Sequence, residues 1–324
     1  MNFFDLHCDT AGECAKQGLS LADNELQINL RKGKCLDKWA QCFAIWVPDE
    51  YRGEEAEHYF DRAAAHFKNQ IAENSEKIKL CKEKSDFDEA ILQGACAAFL
   101  TLEGGSAACG NGRLEKLKQD GVKLITLTWN AENEIAGGCQ GAADQGFTPR
   151  GKALVKEMER LNIIADVSHI NRTSFFELMA METSVPVVAS HSDCAAVLEK
   201  TRKESIDKTF SLRRSLTDEQ IRLMIERGGL IGLNFCDSFL GDPGDDGFEA
   251  VYRHMAHILE LGGEHVLAVG SDFDGCNMNS ELDSLEKMPS LRTFLEDKGL
   301  DKDLLDRIFY ENAREFFLNV LQKG

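Results

Sequence analysis

A (β/α)8 barrel is the fold this sequence predicts, and three observations predict it. Eight short runs rich in β-branched residues recur along 324 residues. They are apolar on both faces, as parallel strands covered by helices must be. Amphipathic stretches separate them, and no break in composition marks a second domain. A single domain over residues 1–324 is expected, with an open doubly wound sheet as the structural alternative.

The first run, Phe3-Phe4-Asp5-Leu6-His7-Cys8-Asp9-Thr10, reads as a buried strand ending in His-x-Asp. Side chains alternate on a strand, so His7 and Asp9 are expected on one face and Leu6 and Cys8 on the other. Residues 41–47 form the second strand, stopped by Pro48. Residues 51–83 carry Tyr59, Ala63, Phe67 and Ile71 at helical spacing and read as one long surface helix. Residues 96–103 are the third strand, ending at Glu103 before Gly104-Gly105; 111–120 are helical; 122–129 are the fourth strand.

A glycine-rich loop, 137–146, precedes a helix whose N-cap and first turn are Thr148-Pro149. It lacks the GK[ST] and strand-to-helix context of a phosphate loop. Residues 162–169, 185–191, 229–235 and 265–272 are strands five to eight. A helix over about 302–321 closes the chain. The loop 241–247 reads as a solvated lid, and His254 and His257 as surface or packing residues on an outer helix.

A formal net charge of −18 argues against nucleic acid or anionic membrane as a partner. No apolar run approaches the ~20 residues of a membrane span, and no signal-peptide pattern opens the chain. Eleven cysteines, an odd count without CxxC pairing, point to reduced thiols and a cytoplasmic protein.

In such a barrel the active site lies at the carboxyl ends of the strands. Those ends carry His7 and Asp9, Glu103, His169, His191 and Asp272. Each has a bland reading alone: a satisfied core histidine, a helix cap, an Asx turn at Asp272 and Asp274. Together, three imidazoles and three carboxylates at one barrel mouth point to a metal centre. Imidazole and carboxylate ligands suit zinc ahead of manganese, cobalt or iron. Three His, one Asp and one Glu are too many for one ion with an open position. They suffice for two ions ~3.5–4 Å apart bridged by a carboxylate, with a shared, ionised water as nucleophile.

The segments Asp5-Leu6-His7-Cys8-Asp9-Thr10, Leu102-Glu103-Gly104-Gly105, Leu127-Thr128-Trp129-Asn130, Asp166-Val167-Ser168-His169, Ala189-Ser190-His191-Ser192, Arg214-Ser215-Leu216-Thr217-Asp218-Glu219-Gln220, Gly232-Leu233-Asn234-Phe235 and Gly270-Ser271-Asp272-Phe273-Asp274-Gly275 occur in this order. In order and spacing the chain resembles the membrane (renal) dipeptidase family, peptidase family M19, in its soluble bacterial form. The resemblance implies a dizinc barrel that hydrolyses small dipeptides, tolerating a D-residue on the C-terminal side, and a homodimer. His7 and Asp9 would hold one zinc and His169 and His191 the other, with Glu103 bridging. Asp272 would meet the substrate amine and pass a proton to the leaving nitrogen. Arg214 would clamp the substrate carboxylate, with Trp129 and Asn234 also at the substrate.

Two departures stand out. The family's His after the fourth strand is replaced by Trp129, and an indole cannot do that proton chemistry. The family's Arg follows the sixth-strand His by about a dozen residues, whereas Arg214 lies 23 beyond His191; Arg202 fits the spacing and Arg214 the motif. Rival functions are another binuclear amidohydrolase, acting on N-acyl amino acids, lactams or lactones, and a catalytically silent metal-binding barrel.

Overall fold

Strands and helices alternate as the hydrophobic pattern requires, and parallel hydrogen bonding closes the strands into a barrel. The computed structural model describes residues 1–203, 206–242 and 244–322. Its strands are β1 (Asn2–Cys8), β2 (Lys38–Trp46), β3 (Ile78–Leu80), β4 (Cys96–Glu103), β5 (Val122–Thr126), β6 (Ile164–Asp166), β7 (Val187–Ala189), β8 (Leu230–Leu233) and β9 (Leu267–Val269). The order β2-β1-β9-β8-β7-β6-β5-β4 is closed by β2 pairing with β4. That seam is long, from Ala40↔Ala97 to Trp46↔Glu103. All eight expected strands are present in this closed eight-stranded barrel.

β3 was not expected. The stretch read as one helix over 51–83 is a helix only over Gly53–Glu73. The chain then turns at Asn74 and lays Ile78–Leu80 beside the first residues of β4. The cause is the length of β4: its carboxyl half pairs with β5 from Leu100↔Val122 onward, leaving its amino half free for another strand. The last helix is also interrupted. Helices Lys302–Asp306 and Asn312–Gln322 flank a wider turn over Arg307–Glu311. The expected lid loop 241–247 includes residue 243, which lies outside the described residues.

Every barrel strand contributes to one interior layer, including Phe4, Cys42, Phe99, Leu124, Ile164, Val188, Leu230 and Ala268, together with Tyr310 and Phe317 of the C-terminal segment. Phe4 stacks on Phe99 at 5.5 Å and meets Phe317 at 5.0 Å. Truncating one such ring costs about 3–5 kcal/mol. This apolar plug fills the barrel below the site and leaves the carboxyl ends of the strands for polar groups.

The simple alternation expected for β1 does not hold to its end. Phe4 and Leu6 belong to the interior layer, but Cys8 packs with Phe3 in the barrel–helix core. The register against β2 shifts between Asp5 and Cys8, and this irregularity changes the side-chain phase just where His7 sits.

Candidate metal centre

The site residues lie at or just past the strand ends. Glu103 ends β4 and Asp9 follows β1 directly. His191 lies two residues past β7, and His169 and Asp272 three past β6 and β9. These last residues therefore lie beyond the observed strands, which stop two or three residues short of the ends expected for them. His169 and Asp272 have left-handed backbone, with φ of 68° and 64°. That conformation is uncommon for non-glycine residues and costs roughly 1–3 kcal/mol.

The turns bring the expected ligands together. Glu103 Oε1 is 2.9 Å from His169 Nε2 and 3.5 Å from His191 Nε2. Its other oxygen, Oε2, is 3.5 Å from His7 Nε2. His7 Nε2 also lies 3.3 Å from Asp9 Oδ2 and 3.8 Å from Asp272 Oδ1. One carboxylate thus faces two imidazoles on one side and a third on the other.

Hydrogen bonds assign the tautomers of two histidines. His169 Nδ1 donates to Asn130 Oδ1 at 2.9 Å. His191 Nδ1 donates to Ser190 Oγ at 2.7 Å, and Ser190 Oγ donates onward to Asp166 Oδ2 at 2.6 Å. Both Nε2 atoms then carry bare lone pairs, yet they lie 3.0 Å apart beside Glu103 Oε1. Three lone-pair donors at such separations repel one another unless a proton or a cation lies among them. The donor set therefore fits a divalent metal ion.

The charges agree with this. Burial and the positive charges of Arg214 and His7 push the pKa of His169 well down, and burial, His7 and Arg214 do the same for His191. Both stay neutral and able to coordinate. Around His7 the balance reverses: burial opposes its charge, but Glu103, Asp9 and Asp272 outweigh it and push it up to about 10. Burial raises Glu103 well above the carboxylate range and Asp272 to about 6, with His7 opposing both shifts. Space is kept open as well. A Cβ on Gly275 would lie 2.2 Å from Asp9 Oδ2 and 2.6 Å from Asp272 Oδ1.

Other expected residues take distinct places. Asn234 is fully buried; its Nδ2 donates to Asp272 Oδ2 at 3.0 Å and its Oδ1 accepts from the Cys236 amide at 2.6 Å. Arg214 is buried beside the histidines, donating from Nη1 to Ser192 Oγ at 3.0 Å and from Nη2 to the His191 carbonyl at 2.8 Å. Arg202 instead donates to the Ser238 and Gly241 carbonyls, tying down that turn. Trp129 packs against Trp46 at 4.9 Å. With Phe210 and Phe239 the two indoles line a cavity of about 500 Å³ that opens onto Asp9, Glu103, His169 and Asp272.

Asn130, Ser190 and Asp166 were not singled out from the sequence. Each lies within a quoted motif, and polar residues within apolar runs were the available signal. Of the two readings open for His254, surface or packing, the structure gives packing: its Nδ1 accepts from the Cys194 amide and its Nε2 donates to the Leu240 carbonyl.

A parallel barrel with imidazoles and carboxylates gathered at its carboxyl end defines the class of metal-dependent hydrolases. The sequence pattern of the membrane dipeptidase family (peptidase family M19) matches residues 1–322, so the chain belongs to that family and is a metallo-dipeptidase. The family implies divalent metal ions. Among its relatives, an uncharacterized protein in the pqqA 5′ region of Klebsiella pneumoniae is 30% identical over 267 residues, 79% of this chain and 94% of that one. The fold is shared with a metallo peptidase from Rhodobacter sphaeroides liganded with a phosphinate mimic of the dipeptide L-Ala-D-Ala (23% identity, TM-score 0.87, 99% of both chains). It is shared too with the probable dipeptidase PvdM from Pseudomonas aeruginosa (16% identity, TM-score 0.83, 100% of this chain and 96% of that one). Among the described residues no helix is long and apolar enough to cross a membrane.

Proposed function

We propose that this chain hydrolyses the peptide bond of small dipeptides at a pair of zinc ions. His7 and Asp9 would hold one ion and His169 and His191 the other, with Glu103 serving as a ligand to both. The observation that carries this reading is the division of Glu103 between its neighbours, with Oε1 2.9 Å from His169 Nε2 and Oε2 3.5 Å from His7 Nε2. When bound, such a pair supplies Lewis acidity and lowers the pKa of water to about 7.

The chain's own residues do the rest. Asn234 holds Asp272 by Oδ2, leaving Oδ1 to take a proton and return it to the leaving nitrogen. Arg214, anchored on His191 and Ser192, supplies the positive charge that orients a substrate carboxylate. Trp46 and Trp129 wall the cavity and exclude water from one side. The reading includes a cytoplasmic setting, supported by eleven free thiols, and a homodimer, expected from the family resemblance alone.

The test is a substrate panel run on zinc-loaded protein. Dipeptide turnover with two ions per chain is expected. No hydrolysis at any metal loading would overturn the reading. Faster turnover of N-acyl amino acids or lactams would establish the second reading, a related amidohydrolase, which the indole of Trp129 in place of an imidazole favours.

A further inference from the structure

Two sulfur atoms beside the metal centre have no part in the chemistry above, and both lie next to Asp272. The sulfurs of Cys236 and Cys276 and a carboxylate oxygen of Asp272 all lie within 4.8 Å of one another. Two thiolates on one ion at Zn–S bonds of ~2.3 Å would stand about 3.8 Å apart, so small side-chain adjustments suffice. Both cysteines are free.

The backbone holds this triad ready. Cys236 and Met278 form an antiparallel bridge, and the Asp237 amide donates to the Asn277 carbonyl at 3.1 Å. Asn234 ties both ends, accepting from the Cys236 amide and donating to Asp272. The Cys276 thiol lies 3.7 Å from the Asp272 carbonyl oxygen. Cys276 is half-buried on the rim of the cavity, so an ion can reach it from solvent.

We propose that Cys236, Cys276 and Asp272 form a separate, inhibitory site for a thiophilic divalent cation such as zinc or cadmium. Thiolates select such ions over magnesium or calcium. Binding releases the two thiol protons to solvent and engages the Asp272 carboxylate. The inhibitory half of the proposal rests on the reading of Asp272 as the proton-transfer group; the binding half does not.

The test titrates reduced, full-length, zinc-loaded protein with Cd2+, following bound cadmium, the ultraviolet cadmium–thiolate charge-transfer band and dipeptide turnover. The band should saturate at one cadmium per chain, with turnover falling about tenfold or more as it does. Cys276→Ser and Cys236→Ser should each lose the band, and turnover relative to each variant's own starting rate should then resist cadmium. Two variants are used because buried Cys236 is the riskier substitution for folding. Absence of the band at every loading, or its survival in both variants, overturns the site. A saturated band with unchanged turnover overturns the inhibitory role. If the protein hydrolyses no dipeptide at all, band and stoichiometry still decide the site.

Discussion

The two sides of the metal centre are built on the same clamp but use it differently. On the β6–β7 side Asp166 accepts from the Ser190 amide at 2.9 Å and its hydroxyl at 2.6 Å, one residue before His191. On the β1–β9 side Asp5 accepts from the Ser271 amide at 2.8 Å and its hydroxyl at 2.6 Å, one residue before Asp272. Ser190 passes the interaction on to an imidazole. Ser271 turns back to the His7 carbonyl, and His7 Nδ1 is buried with no hydrogen-bond partner among the described residues. One side thus presents neutral imidazoles of assigned tautomer, whereas the other surrounds an imidazole with three carboxylates. Hydrogen bonding orients the imidazoles in the first case, and in the second negative charge makes the site attractive to a cation.

Glu103 joins the two sides, so Glu103→Gln should have the largest effect. Turnover is expected to fall by about 10⁴-fold, roughly 5 kcal/mol, with fewer than two ions retained by elemental analysis. Two tightly held ions and intact turnover would contradict the shared-ligand geometry. Asp272→Asn comes next, on the carboxylate-rich side. It should keep both ions while kcat drops ~10²–10⁴-fold; loss of metal instead would make Asp272 a ligand.

The contrast between the clamps is tested by paired serine variants. Ser190→Ala should weaken metal binding ~10–100-fold, because it frees the His191 ring. Ser271→Ala should weaken it less, since that hydroxyl touches no imidazole; equal losses by metal titration would erase the distinction.

The smallest effect concerns His254, an imidazole held neutral by its full burial. Burial pushes its pKa down to about 4, with its hydrogen bond to Leu240 opposing. Between that value and the ordinary one near 6.5 the unfolded chain binds a proton that the folded chain refuses. Stability from His254 is therefore present above pH 6.5 and lost as pH falls toward 4, by up to roughly 3 kcal/mol. Urea unfolding of wild type and His254→Asn should show a steeper acid loss in the wild type; parallel slopes would remove this residue from the acid response.

Much of this was legible in the sequence where apolar runs ended in polar residues. The eight barrel strands, His7, Asp9, Glu103, His169, His191 and Asp272 all stood out because a polar group in an apolar run needs a reason. β3 did not, because Ile78 and Leu80 continue a helical pattern and only the unpaired half of β4 recruits them. Asn130 and Ser190 did not either: as single polar residues they resemble ordinary turn formers, and their role exists only across strands.

The order of elements, the parallel barrel and the types of ligand follow from hydrophobic period and residue chemistry, which are local properties of the chain. Which oxygen of Glu103 faces which imidazole, which nitrogen keeps its proton, that Arg214 and not Arg202 stands beside the histidines, and that two cysteines meet Asp272 were decided by tertiary structure. Those are relations between residues distant in the chain, set by turn geometry and barrel closure, and no local pattern encodes them.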